Sequence, residues 1–163
     1  MTEVRPATFM DLAYIAINMR DWDRREIFAT LRVTQPVDFA ELTMRISDLA
    51  WIVYRDHEPV IAFGAGEMWP GVWNVWAFGT DKFPKAGLSA TRYMRRVIPE
   101  IMRERSIHRI ECKSMEGHTE AHKWLNALGL YRESEHPSYG KNGETFYTYA
   151  RLRRAEESIR EAA

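Results

Sequence analysis

The stretch VWNVWAF at residues 72–78 organises the chain, because apolar side chains dominate both of its alternating faces. A strand that is apolar on both faces is typical of the buried centre of a sheet. It leads into the small-residue segment Gly79–Ala90, predicted to be a loop that opens a helix over Ser89–Arg105. A second strand is predicted over Ile107–Lys113. A helix that connects two strands in this way makes them parallel neighbours.

The segment Gly79–Ala90 is also the first candidate for function. Free backbone N–H groups and the helix dipole point outward from a helix N-terminus, so a loop at that position can hold an anion. Lys82 and Lys85 add positive charge to the segment. Farther along, Pro99 lacks a backbone N–H, so we expect the long helix to kink or break there.

The remaining elements are predicted from caps, turns and apolar periodicity. A first strand is expected over Glu3–Pro6. Three helices follow, whose starts are predicted from a capping residue with an acidic residue three positions later, namely Thr8 with Asp11, Asp23 with Glu26, and Asp38 with Glu41. An antiparallel meander is predicted over Ala50–Tyr54, Val60–Met68 and Val72–Phe78. The last elements are a helix over Thr119–Leu128, ended by Gly129, and strands over Leu130–Ser134 and Thr145–Leu152.

Composition excludes several classes of protein. The 163 residues include 23 basic and 23 acidic side chains, so no overall positive field attracts nucleic acid or a membrane surface. A single cysteine, Cys112, excludes an intramolecular disulfide and fits a reducing compartment. No apolar run approaches the roughly 20 residues that span a bilayer, and no secretory signal pattern is present. We therefore expect a cytoplasmic protein with a single domain over residues 1–152 and a charged tail over residues 153–163.

The order strand, helices, three-stranded meander, helix, strand, helix and two strands resembles the GNAT (GCN5-related N-acetyltransferase) superfamily over nearly the whole chain. Residues 118–130 are similar to the late helix of that family, N-x-x-A-x-x-x-Y-x-x-x-G-F, in which Ala121 and Gly129 match. The resemblance implies an α/β (α+β) fold, with a mixed central sheet of about six to seven strands and helices on both faces. Such divergent chains also occur among phage proteins, which implies host cytoplasm or the virion as locations.

The same resemblance implies acetyl-CoA as the donor substrate, with its pantetheine arm hydrogen-bonded between the two central strands like an added strand. Trp76, Ala77 and Phe78 would flank the acetyl and pantetheine groups, and backbone donors there would polarise the thioester carbonyl. His118 is expected either to cap the short helix or to lie beside the cofactor. The residues expected to meet the pyrophosphate are Lys82, Lys85, Gly87, Leu88, Ser89 and Ala90.

Two positions depart from the family pattern. The closest register of the family's pyrophosphate loop, R/Q-x-x-G-x-G/A, is residues 85–90, and Leu88 stands there in place of glycine. Leu125 falls where many members have a tyrosine that protonates the departing thiolate of coenzyme A. A leucine cannot donate that proton.

Three residues are candidates for acid–base catalysis. Glu67 and Asp81 lie toward the ends of meander strands, and a carboxylate near an apolar cleft can have a raised pKa that suits a general base. His122 could replace the missing tyrosine as an acid if the helix were rotated. His118 and His122 share one helix face, a spacing that suits metal binding, but no third ligand with suitable spacing is present and no metal is expected.

The leading hypothesis is an acyl-CoA N-acyltransferase that moves an acetyl group from acetyl-CoA directly to an amine of unknown identity. The alternative is a catalytically inactive GNAT-fold protein that acts by binding another protein, such as a phage structural or host-directed factor. Leu88 and Leu125 favour the alternative, whereas the order of elements and the lysine-bearing segment favour the enzyme. The tryptophans at positions 69, 73 and 76 surround the meander turn, where one or two could line an acceptor pocket or a partner surface.

Overall fold

The structure is a computed structural model that describes residues 1–153, so the predicted charged tail lies outside the described residues except for Arg153. Seven strands and five helices are formed within this range. In chain order they are β1 (Thr2–Pro6), α1 (Phe9–Ile17), α2 (Asp21–Phe28), α3 (Pro36–Ile46), β2 (Leu49–Arg55), β3 (Glu58–Trp69), β4 (Val72–Gly79), α4 (Phe83–Glu104), β5 (Arg109–Met115), α5 (Thr119–Ala127), β6 (Tyr131–His136) and β7 (Phe146–Leu152).

One mixed sheet carries all seven strands in the order β1-β2-β3-β4-β5-β7-β6. The meander β2-β3-β4 is antiparallel, and β4 and β5 are parallel neighbours joined through α4, as predicted. The tight turn between β2 and β3 places Asp56 and His57 at φ values of 50° and 68°, the left-handed pair that a two-residue hairpin requires. The predicted mixed α/β sheet is confirmed.

Helices cover both faces of the sheet. On one face α4 and α5 bury an apolar cluster that includes Ile61, Trp73 and Ile107. On the other face α1 and α3 pack over the sheet through a second cluster centred on Leu12 and Phe78. Complete burial of such side chains contributes about 1.5–3 kcal/mol each, so the two clusters hold the layers together.

The predicted helix starts are right for α1 and wrong for the next two helices. The Thr8 hydroxyl accepts a hydrogen bond from the Asp11 N–H at 3.2 Å, and the two residues form the predicted capping box. By contrast, α2 begins at Asp21 and α3 at Pro36, so Asp23 and Asp38 lie inside helices and cap neither. Proline suits the first turn of a helix because its missing N–H has no partner there.

The predicted loop before α4 is wrong in a way that affects function. The helix begins at Phe83, six residues before the expected start, so residues 85–90 form its first turns. Pro84 favours this early start because its fixed φ suits the first turn. The helix also continues through Pro99 to Glu104 without the expected break. Pro99 and Arg95 are both exposed, so solvent can satisfy the carbonyl group that lacks an N–H partner.

The parallel pairing of β4 and β5 is short, and this creates the site. Only Val72–Asn74 pairs with Arg109–Glu111. Beyond that point β4 stays paired with β3, whereas β5 stays paired with β7 along its whole length. The two central strands therefore separate, leaving a cleft between residues 75–79 of β4 and residues 112–115 of β5.

Candidate active site

The cleft between β4 and β5 holds a cavity of about 440 Å³. Most of its lining is aromatic and aliphatic, contributed by β4, α3, α4 and α5. A concave, mostly apolar pocket with a few polar groups is the usual form of a small-molecule site. Its polar side chains include Arg20, Asp23, Glu26, Ser114 and His118.

The edge of β4 presents backbone groups to this cleft. Both backbone groups of Gly79 form hydrogen bonds on the cleft side. Its N–H donates to the Asp23 carboxylate, and its C=O accepts from the backbone N–H of Arg20 at 2.9 Å. Alternate residues of a strand point their backbone groups the same way, so Val75 and Ala77 also direct N–H and C=O groups into the cleft. Within residues 1–153, no strand pairs with these two residues on that side.

Helix α2 contacts the β4 side of the cleft mouth through Arg20 and Asp23. Asp23 is only 4% exposed, and its carboxylate accepts hydrogen bonds from the Arg20 guanidinium at 2.7 Å and the Gly79 N–H at 2.9 Å. The Arg20 guanidinium also lies over the Phe83 ring, with its carbon 3.9 Å from the ring centroid. Met19 and Thr80 add an antiparallel bridge. The start of α2 is therefore attached to the free end of β4.

The same helix contacts the β5 side through Glu26. The Glu26 carboxylate accepts a hydrogen bond from the Ser114 hydroxyl at 3.3 Å and is hydrogen-bonded to Nδ1 of His118. The other ring nitrogen of His118 lies 3.7 Å from the Asp23 carboxylate. Trp22 stacks on the His118 ring with centroids 5.1 Å apart. One turn of α2 thus spans both arms of the cleft.

The predicted flanking residues do lie at the cleft. Trp76, Ala77 and Phe78 line the cavity, with Trp76 half-buried and its indole N–H donating to the Ser47 hydroxyl at 2.9 Å. His118 also lines the cavity, where it occupies the N-cap position of α5. His118 is therefore the N-cap residue, as predicted, but its side chain makes no capping hydrogen bond and its ring lies beside the cleft.

The residues predicted to meet the pyrophosphate lie on α4 rather than in a loop. Gly87, Leu88, Ser89 and Ala90 are helical; Leu88 is 65% exposed, whereas Ala90 is buried against the core. Few amides remain free at the start of this helix. The Phe83 N–H donates to Thr80 and the Lys85 N–H to Lys82, and proline at position 84 has none.

Side chains therefore replace amides as the possible anion contacts at the start of α4. Lys85 is exposed, and its carbonyl accepts a hydrogen bond from Arg55 at 2.5 Å. Lys82 pairs with Glu58, and this hydrogen bond raises the pKa of Lys82. Lys82 follows Thr80 by two residues in the chain, and neither lysine lines the cavity.

The structure brings none of the three acid–base candidates to the cleft lining. Glu67 is exposed on β3, opposite Trp73 at the paired end, and Asp81 is exposed in the turn before α4. His122 stacks on Tyr149 with centroids 5.1 Å apart, and burial lowers its pKa. Leu125 does line the cavity, and its equivalence with the catalytic tyrosine of the family stays a prediction. The three catalytic roles stay predictions.

The cleft lining also includes a cysteine thiol that is not reactive. Cys112 lines the cavity, and burial raises its pKa to about 12, so it is a neutral thiol rather than a nucleophile at pH 7.

In the described range, no group of three or more His, Cys, Asp or Glu side chains is arranged to hold a metal ion. No helix among residues 1–153 is both long enough and apolar enough to cross a membrane.

Sequence reasoning missed the functional position of Arg20, Asp23, Glu26 and Ser114. The spacing of Asp23 and Glu26 predicts a helix cap. Inside a helix, however, a spacing of three residues places both carboxylates on one face. Nothing in the sequence indicates their partners, because Gly79 and His118 lie 56 and 92 residues away from Asp23 and Glu26 respectively.

A sheet of this order, split between two parallel central strands under a long crossover helix, is the architecture of the acetyltransferase class that the sequence resembles. No protein-family model matches the chain, and no curated protein matches its sequence. Solved structures do match it over nearly its whole length. An acetyltransferase of the GNAT family from Bacillus anthracis covers 93% of this chain and 94% of its own, with a TM-score of 0.70 and 16% identity.

Two further structures show the same likeness. The ribosomal-protein-S5-alanine acetyltransferase from Vibrio fischeri has a TM-score of 0.65 and 17% identity, and covers 94% of each chain. A ribosomal L7/L12 alpha-N-protein acetyltransferase in complex with coenzyme A has a TM-score of 0.70 and 13% identity, and covers 93% of each chain. At these identities the likeness shows the fold, and the protein has the GNAT fold, as predicted. The resemblance to phage proteins gains no support from these structures and stays a prediction.

Proposed function

We propose that the protein is an acyl-CoA-dependent N-acyltransferase that uses acetyl-CoA as donor and an amine as acceptor. The observation that carries this proposal is the unpaired edge of β4, where Val75 and Ala77 direct backbone groups into the cavity of about 440 Å³. An extended arm that contains amides can pair with such an edge like an added strand. The GNAT fold supports the same conclusion.

The reaction needs little from side chains once the donor is bound. The amine nitrogen attacks the thioester carbonyl carbon, a C–N bond forms, the C–S bond breaks, and the nitrogen proton passes through solvent to the thiolate. A β4 N–H group at Val75 or Ala77 would stabilise the oxyanion that develops on the carbonyl oxygen. Leu125 cannot supply the thiolate proton, so this route predicts slower turnover than one with a positioned acid.

The phosphates of the donor would lie at the start of α4, where Lys82 and Lys85 are exposed. Because the helix amides there already have partners or are absent, charge from the lysines carries this contact. Lys82 would share its ammonium group between Glu58 and a phosphate. We expect donor affinity to weaken as the salt concentration rises, since exposed charges are screened.

Thermal unfolding with acetyl-CoA tests donor binding. Ligand at about 100 times its dissociation constant adds roughly 2.7 kcal/mol, which is about 5–10 °C in midpoint for a domain of this size. Ala121→Phe fills the cleft from α5 and should abolish the shift, because Ala121 lines the cavity. Ala127→Phe, at an exposed position of the same helix, is the matched control and should keep it. No shift at millimolar acetyl-CoA in either the unmodified protein or a folded variant with an opened cleft mouth would reject the proposal.

A second candidate function, binding of another protein without catalysis, is favoured by one specific observation. The cleft mouth is already occupied by Arg20 and Asp23, which take the backbone groups of Gly79. Trp69, at the turn between β3 and β4, is 59% exposed and is available to a partner. If acetyl-CoA fails to bind both the unmodified protein and a variant with an opened mouth, the second function is preferred.

A further inference from the structure

The start of helix α2 occupies the hydrogen-bonding groups of β4 at one end of the cleft. At Gly79 the strand offers one N–H and one C=O to the cleft, and the Asp23 carboxylate and the Arg20 N–H satisfy both, each at 2.9 Å. An extended ligand that contains amides would present the same pair of groups to a strand edge, namely one C=O acceptor beside one N–H donor. The chain therefore fills with its own groups the outermost position that β4 offers.

The opposite side of the closure is equally specific. Glu26 joins the same helix to Ser114 on β5 and to His118 at the start of α5. His118 is 4% exposed and lies between the two carboxylates, with Trp22 stacked over it.

We infer that α2 is an autoinhibitory latch, in which Arg20 and Asp23 hold the cleft shut until an amide-bearing ligand replaces them at Gly79. The inference rests on the proposed donor binding at the same cleft. Two features suit a replaceable contact. Arg20 is partly exposed and reaches solvent when Asp23 leaves, and the hydrogen bonds at Gly79 are exchanged for equivalent ones rather than lost.

The latch predicts that removing Asp23 improves binding. In the closed state Asp23→Ala leaves the Gly79 N–H without an acceptor, whereas in the bound state the ligand supplies one. Hydrogen bonds to charged groups contribute about 1.5–3 kcal/mol, so the affinity for acetyl-CoA should rise about 10- to 100-fold. Glu26→Gln weakens only the β5 side and should raise affinity less than Asp23→Ala does.

The experiment is a calorimetric titration with acetyl-CoA and with S-acetylpantetheine, which lacks the nucleotide. Asp21→Ala is the matched control, because Asp21 lies in the same turn of α2 and its side chain is 80% exposed. Both ligands should bind Asp23→Ala more tightly than the unmodified protein, and Asp21→Ala should bind them as the unmodified protein does. Amide exchange at Gly79 in the free protein should also accelerate in Asp23→Ala and not in Asp21→Ala. Asp23→Leu, which is similar in shape and has no acceptor for the Gly79 N–H, replaces the alanine variant if that variant does not fold.

The outcomes separate the two proposals. Tighter binding by the Asp23 variants supports the latch, including the case in which the unmodified protein binds too weakly to measure. Measurable binding by the unmodified protein with equal or weaker binding by the folded Asp23 variants overturns the latch and leaves donor binding intact. Absence of binding by the unmodified protein and every folded variant overturns both.

Discussion

The two ends of the β4–β5 pair are held together by different forces. At the paired end, Trp73 and Ile110 face each other in register, and both are 3% exposed within the apolar cluster beneath α4. At the separated end, no ladder joins the strands, and Asp23 and Glu26 of α2 connect them through charged and polar contacts. The paired end is closed by apolar packing, and the separated end by polar side chains whose hydrogen bonds a ligand could replace.

This difference indicates which end of the β4–β5 pair can open. Apolar burial is lost when water enters, so we expect the paired end to open at a higher free-energy cost than the separated end. Hydrogen bonds exchange partners at little net cost, since each contributes only about 0.5–1.5 kcal/mol, or somewhat more when one partner is charged. The separated end therefore suits a reversible opening, and the paired end suits a fixed base for the cleft.

The largest effect is expected from breaking the paired end. Trp73→Ala should lower the free energy of unfolding by about 3–5 kcal/mol, because it removes a buried indole and leaves a cavity. Trp69→Ala is the control, since Trp69 is 59% exposed, and it should change stability by less than about 0.5 kcal/mol. Urea unfolding measures both. Equal losses for the two variants would contradict the assignment of Trp73 to the core.

A smaller loss is expected from the separated end. Asp23→Ala should lower the free energy of unfolding by about 1–3 kcal/mol through the unsatisfied Gly79 N–H, whereas Asp21→Ala should stay within about 0.5 kcal/mol. Residues 73 and 79 lie roughly 20 Å apart along the strand. The effects of Trp73→Ala and Asp23→Ala should therefore add in the double variant, and strong coupling between them would show that the two ends are not independent.

The smallest effect concerns the exposed ion pair beside the cleft mouth. The pKa of Glu58 is lowered first by the hydrogen bond from Lys82 and then by that from Tyr14. A carboxylate with a lowered folded-state pKa contributes stability above its unfolded pKa of about 4.3, and this contribution is lost as pH falls through the folded value. The midpoint difference between the unmodified protein and Glu58→Gln should be small at pH 7 and vanish in acid. A difference that grows on acidification would contradict this linkage.

Much of the fold was predictable because it rests on local signals. Three such signals act within a few residues each: the apolar side chains on both faces of β4, the capping box of Thr8 and Asp11, and Gly129 at the end of α5. The start of α4 was not predictable in this way. The small residues and two lysines of this segment are equally typical of a phosphate-binding loop. The segment is helical because Phe83 and Ala86 pack in the core.

The predicted residues that lie at the candidate site are three on β4 and His118 at the start of α5. Trp76, Ala77 and Phe78 lie at the cleft because they belong to a strand whose pattern is local. Glu67 and Asp81 lie away from the lining, since proximity in sequence to a strand end does not indicate which edge of the sheet a side chain meets.

Apolar periodicity and caps predicted the strands and the parallel crossover because they act over short stretches of chain, and the resemblance to the GNAT family implied the position of the cleft. Only the tertiary structure decided what closes that cleft. Asp23 meets Gly79, and Glu26 meets His118, across 56 and 92 residues. Contacts between such distant residues depend on how helices dock on the sheet, and that docking is set by the shape of the whole core rather than by the residues that meet.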